Sequence, residues 1–191
     1  MLRKLGLGLA AGIAALTMAT TATATAAPET DPAPAPAAQT VLHYDDSQAA
    51  EFKDAVAAGV KVWNDNLENV QLEKAASGEQ AEIQIIADDG WPRAELGPVR
   101  PGGSATVWFG RQAVTEGYDT TRIAAHELGH SLGLPDMKPG PCSSLMSGST
   151  AGVDCTNPQP NAEERAEVEA NYGSGMAGST PFSGRIVVDR P

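Results

Sequence analysis

The chain has 191 residues, 41% of them hydrophobic, and a net charge of −11. That length allows one domain of the usual ~100–150 residues around a single core, once non-globular segments are set aside. The acidity excludes partners that need a basic face, nucleic acid and anionic membranes first among them.

Residues 1–27 carry basic Arg3 and Lys4, an apolar run from Leu5 to Met18, and small Ala24 and Ala26. This is the pattern of a secretory signal peptide, which predicts a secreted, extracellular protein. The run is short, rich in glycine and alanine, and followed by Ala-Thr repeats. It therefore fits a permanent membrane span less well, and no stable membrane association is expected. Residues 28–39 alternate proline with alanine, cannot bury a core, and are expected to form a pro-segment or linker. The folded domain is expected over 40–173. It leaves 174–191 as a C-terminal extension to which the sequence assigns no role.

Within the domain, residues 40–46 read as a strand, after which Ser47 can cap a helix. The apolar residues Phe52, Val56, Val60, Trp63 and Leu67 recur at three- and four-residue steps, one stripe of an amphipathic helix that faces a sheet. Runs 70–75, 81–89 and 104–110 are β-branched or alternating and predict strands. Between the last two lies a segment rich in proline and glycine. A strand over 94–99 there must be an edge, because Pro98 has no amide to give to a ladder. Residues 121–133 predict an uninterrupted helix stopped by Gly133 and Pro135. The last helix, 161–172, carries a thin apolar line of Ala162, Ala166 and Val168 and is expected on the surface.

The chemistry concentrates on the 121–133 helix. His126 and His130 are four residues apart, so both imidazoles project from one face and can share one tetrahedral cation. Glu127 sits beside them, placed to reach a water at that cation rather than to bind it. Gly133 can take the positive φ that ends the helix, and Pro135 prevents its continuation, which brings Asp136 round as a third, oxygen ligand. The remaining histidine, His43, reads as a polar residue on a half-exposed strand. A histidine pair at this spacing can also be merely packed or solvated, but the helix, the turn glycine, the acid at its fixed distance and the export signal together favour zinc. Two imidazoles match calcium or magnesium poorly. Export also puts Cys142 and Cys155 in an oxidising compartment. Pairing is the default there, with free thiols or zinc thiolates as the alternatives.

The run from His126 to Asp136, HELGHSLGLPD, resembles the metzincin zinc motif in its aspartate version, which marks the snapalysins, small neutral metalloproteases secreted by bacteria. The resemblance extends to residues 140–148, similar to that family's Met-turn with Met146 beneath the metal, and to 155–168, similar to the start of its final helix. It covers residues 40–173. It implies an α+β fold: a twisted mixed sheet with a backing helix and the active-site helix, then a small C-terminal part holding the Met-turn and last helix. It also implies a Cys142–Cys155 disulfide and a calcium ion held by Asp119 and Thr121. Asp119 and Thr120 can instead simply cap the active-site helix. Where snapalysin-like proteins can carry a tyrosine after the aspartate, this chain has Met137 and Lys138, which leaves its oxyanion-stabilising group unassigned.

The function implied is that of a zinc-dependent endopeptidase, expected to be monomeric, that acts on protein or peptide substrates. Glu127 is its general base, and Tyr or Phe is preferred just after the cleaved bond. The substrate is expected to pair with the exposed edge strand. Two rivals stand beside this reading: a secreted, zinc-stabilised binding protein without turnover, and a zinc amidase acting on cell-wall peptides. Retention of Glu127 favours the endopeptidase over the binding protein, which would need ligands but no base.

Overall fold

The computed structural model describes residues 39–173 and 181–191. The expected signal peptide, and the expected linker up to residue 38, lie outside the described residues. Among the described residues no helix is long and apolar enough to cross a membrane.

Six strands form one mixed sheet in the order β2-β1-β3-β5-β4-β6. Strands β1 (Thr40–Gln48), β2 (Val70–Lys74), β3 (Ile83–Asp88) and β5 (Ala105–Gly110) run parallel. Strand β4 (Arg93–Glu95) is antiparallel to β5, and β6 (Ile186–Val188) is antiparallel to β4. The arrangement is α+β with a mixed sheet, as expected.

Helix α1 (Lys53–Asn66) lies against the sheet and against α3 (Thr120–Ser131). The predicted stripe is its inner edge: Phe52, Val56, Val60, Trp63 and Leu67 are all buried. Each such side chain contributes roughly 1.5–3 kcal/mol by leaving water. Trp63 also gives its indole N–H to the Ala125 carbonyl of α3 at 2.8 Å, which fixes the two helices in register. Ser47 does not cap this helix. β1 remains paired with β3 as far as Gln48, so Ser47 stays in the strand and its amide donates to Asp45 Oδ1 at 2.8 Å. A 3-10 turn, Ala50–Phe52, then leads into α1 without a side-chain cap.

Three further expectations change. The strand predicted over 94–99 is Arg93–Glu95, because from Gly97 onward the backbone bonds to a helix instead of a strand. The Gly97 and Val99 amides donate to the His130 and Ser131 carbonyls at 2.8 and 2.9 Å, which satisfies the end of α3. Nor is the outer edge of β4 exposed, since β6 covers it. In the last helix, α4 (Ala162–Tyr172), Ala162 and Ala166 face solvent; the buried side is Glu164, Val168, Asn171 and Tyr172. A short helix, α2 (Arg111–Thr115), was not anticipated.

Candidate metal centre

Helix α3 starts at Asp119, whose carboxylate accepts the Arg122 amide at 2.8 Å. It closes where Gly133, at φ 107°, returns its amide to the His130 carbonyl at 2.9 Å and Leu134 donates to Gly129 at 3.0 Å. A side chain at Gly133 would be strained by that φ. The reversal puts the Leu134 carbonyl 2.7 Å from His130 Nδ1, and the Leu145 carbonyl lies 3.0 Å from His126 Nδ1. Each ring therefore carries its proton on Nδ1, and each Nε2 is left with a free lone pair.

Both lone pairs converge on Asp136, whose Oδ1 is 3.4 Å from each Nε2. Nε2 of each imidazole, Asp136 Oδ1 and both oxygens of Glu127 are buried without a hydrogen-bond partner. Such a concentration of unpaired polar atoms is costly unless a cation satisfies it. Two nitrogens and one carboxylate oxygen suit zinc, and the residues present fit that ion. His43 lies elsewhere on β1, 3.6 Å from Glu82. Burial drives the Glu127 carboxyl well above its ordinary value, and burial holds His130 below its own. Asp136 is held far below the usual carboxylate range by its two histidines, against the opposing effect of burial.

Met146 is buried under the helix in the 3-10 segment Leu145–Ala151. A methyl group at Gly129 would stand 2.8 Å from its sulfur, so glycine at this point lets the Met146 turn approach the metal helix. That turn is held from two sides. Arg122 donates to the Ser144 carbonyl and to Ser147 Oγ at 2.8 and 2.9 Å. The buried Glu164 carboxylate accepts from Ser144 Oγ at 2.7 Å and from the Met146 amide at 2.9 Å. Cys142 and Cys155 are joined, with Cα atoms 5.5 Å apart, and their loop contains Met146.

Neither Arg122 nor Glu164 was singled out from the sequence. An N-terminal capping signature, Asn161 with Glu164 three residues on, was the one sign of Glu164's position. Two more charged groups arrive unannounced. Lys138 Nζ lies 3.7 Å from Asp136 Oδ2, and Asp189 Oδ2 lies 3.9 Å from His126 Nε2. Asp119 serves as a helix cap, and among the described residues it falls in neither group of acidic and histidine side chains close enough to share an ion.

With this geometry established, similarity to known proteins gives the family. A model described as the Streptomyces extracellular neutral proteinase (M7) family matches residues 38–175. The chain belongs to that family. The snapalysin resemblance is thereby borne out, and membership makes the chain an extracellular metalloendopeptidase. It is 39% identical to the extracellular small neutral protease of Streptomyces caespitosus, over 69% of this chain and 96% of that one. It is 40% identical to that of Streptomyces sp. (strain C5), over 74% of this chain and 59% of that one. A solved structure of archaemetzincin from Methanopyrus kandleri aligns with a TM-score of 0.44 at 13% identity, covering 69% of this chain and 94% of that one.

Proposed function

We propose that residues 40–173 form a zinc endopeptidase domain in which His126, His130 and Asp136 hold the metal and Glu127 is the general base. The observation that supports this reading is the set of buried, unpartnered atoms on those four side chains, with ligand atoms of His126, His130 and Asp136 within 4.8 Å of one another. When bound there, zinc supplies Lewis acidity, which acidifies water and polarises a carbonyl oxygen.

The protein's own groups do the rest. The Nδ1–H bonds to Leu145 and Leu134 fix both imidazole orientations, so little reorganisation accompanies ligation. Glu127, made more basic by burial, takes the proton of the attacking water and passes it to the leaving amine. Met146 shapes the floor and does not ligate. The preference for Tyr or Phe after the cleaved bond, and a calcium at Asp119 and Thr121, rest on the family resemblance alone.

A non-catalytic binding protein has no use for a second buried carboxylate left unpaired beside the ligands, which favours the enzyme. Hydrolysis of casein separates the endopeptidase from a cell-wall amidase. Glu127→Gln should keep zinc but lose about 10²–10⁴-fold in kcat, because the amide cannot accept the proton. Metal analysis with casein hydrolysis checks this, and activity within tenfold of the parent would remove Glu127 from its role.

A further inference from the structure

The outer edge of β4, where a peptide substrate is expected to pair, is filled by the chain's own C-terminal segment. Ile186, Val187 and Val188 pair antiparallel with Glu95, Ala94 and Arg93. The ladder continues on both sides. Leu96 gives its amide to Arg185 at 2.8 Å and accepts from Gly184 at 3.1 Å, and the Asp189 amide donates to Pro92 at 2.9 Å.

Strand alternation turns Val187 and Asp189 inward and leaves Ile186 and Val188 50% and 40% exposed. Of its three apolar side chains only Val187 is buried. Backbone pairing and one acidic anchor hold this segment, which is how an extended peptide binds a sheet edge.

Asp189 is the anchor. Its Oδ1 accepts from the Ser149 amide at 2.8 Å and from Lys138 Nζ at 2.5 Å. Its ligand atom lies within 4.8 Å of those of His126 and Glu127. A carboxylate there takes up space beside His126 and Glu127 that an attacking water and a scissile carbonyl would need, and a catalytic zinc site would have to keep such space open. The cavity beside His126, lined by Tyr118, Ile123, Gly148 and Asp189, is about 10 Å³, room for about one water. No substrate side chain enters it while Asp189 forms its wall.

We propose that residues 183–190 are a resident ligand of the substrate cleft: their backbone takes the β4 edge, Asp189 blocks the centre, and the full chain is latent until the segment is displaced. The cleft accordingly binds extended peptides bearing a carboxylate two residues after an apolar side chain. The latency rests on the peptidase reading, whereas the docking does not.

The test uses the full chain with Asp189→Asn, and with Asp189→Asn combined with Val187→Asp. The probe is a fluorescein-labelled peptide of residues 181–191. Binding is read by anisotropy in a Glu127→Gln background, so that the probe is not cut; zinc content and kcat/KM on a fluorogenic peptide are read with Glu127 intact. Because a resident ligand lowers apparent affinity by the fraction of open cleft, the double variant should bind the probe at least about tenfold more tightly than the parent. Its kcat/KM should rise by a similar factor, with Asp189→Asn intermediate and zinc retained in all. Probe capture without hydrolysis by any variant supports the docking and removes the peptidase reading instead. A double variant that captures no probe, or has lost its zinc or its folded circular dichroism, makes the segment a fixed part of the domain and overturns the proposal.

Discussion

At the scale of single residues, the metal cluster competes with protons. Burial opposes a charge on His126, but the Asp189 and Asp136 carboxylates more than offset it and raise the imidazole to about 9 in the metal-free protein. His130 is lowered, so of the two imidazoles His126 is the one that takes up an extra proton at neutral pH before metal binds, and zinc must displace it. Apparent zinc affinity should therefore rise by about tenfold per pH unit from pH 7 and level off above the His126 value. Competition with a chelator across that range checks this, and a flat profile would contradict it. Removal of Asp136 should act more directly. Asp136→Ala should lose zinc and turnover together, whereas His43→Ala, on a strand outside the cluster, should keep a full complement of metal. Zinc per chain, measured in both variants, decides between them. The candidate ligands His126, His130 and Asp136, and the candidate base Glu127, were legible because helix periodicity and one glycine turn place them without reference to the rest of the chain. Lys138 and Asp189 were not, because their place is set by a contact between segments distant in sequence.

At the scale of elements, the metal helix is buried along most of its length, and the Met146 turn is pinned to it by charged groups rather than by apolar packing alone. Glu164 ties α4 to that turn through the Ser144 hydroxyl and the Leu145 and Met146 amides, and it closes its own helix cap at Asn161. Glu164→Ala leaves several buried donors without an acceptor, each worth about 1–3 kcal/mol, so a total loss of about 3 kcal/mol is expected. Ala166→Ser, on the exposed face, should change stability by less than about 0.5 kcal/mol. Denaturant unfolding of the pair tests whether α4 is anchored by its acidic face; equal effects would refute that. Of the apolar line read from the sequence, Val168 is buried but Ala162 and Ala166 are not, because alanine is weakly hydrophobic and a partnered carboxylate takes the buried position instead. In α1, where the stripe consists of large side chains, the sequence reading and the observed inner face coincide.

At the scale of the whole molecule, the disulfide closes the loop that carries the floor of the metal centre. A loop of this size restricts the unfolded chain by roughly 3 kcal/mol, so reduction should lower the melting temperature by roughly 10 °C. Calorimetry with and without a reductant measures it, and an unchanged transition would show that the bond contributes little. The metal motif was determined by the sequence itself, through spacing within a short stretch; the export signal favoured pairing of the cysteines, and the family resemblance implied their bond and the α+β class. The tertiary structure alone decided the strand order β2-β1-β3-β5-β4-β6 and the burial of Arg122 and Glu164 under Met146. It alone also placed the C-terminal segment on the β4 edge. The Gly-Arg-Ile-Val-Val-Asp run had the β-branched character of a strand, but strand propensity names no partner. Which edge is free, and which backbone amide awaits a carboxylate, is fixed only when residues as far apart as Ser149 and Asp189 are brought into hydrogen-bonding contact.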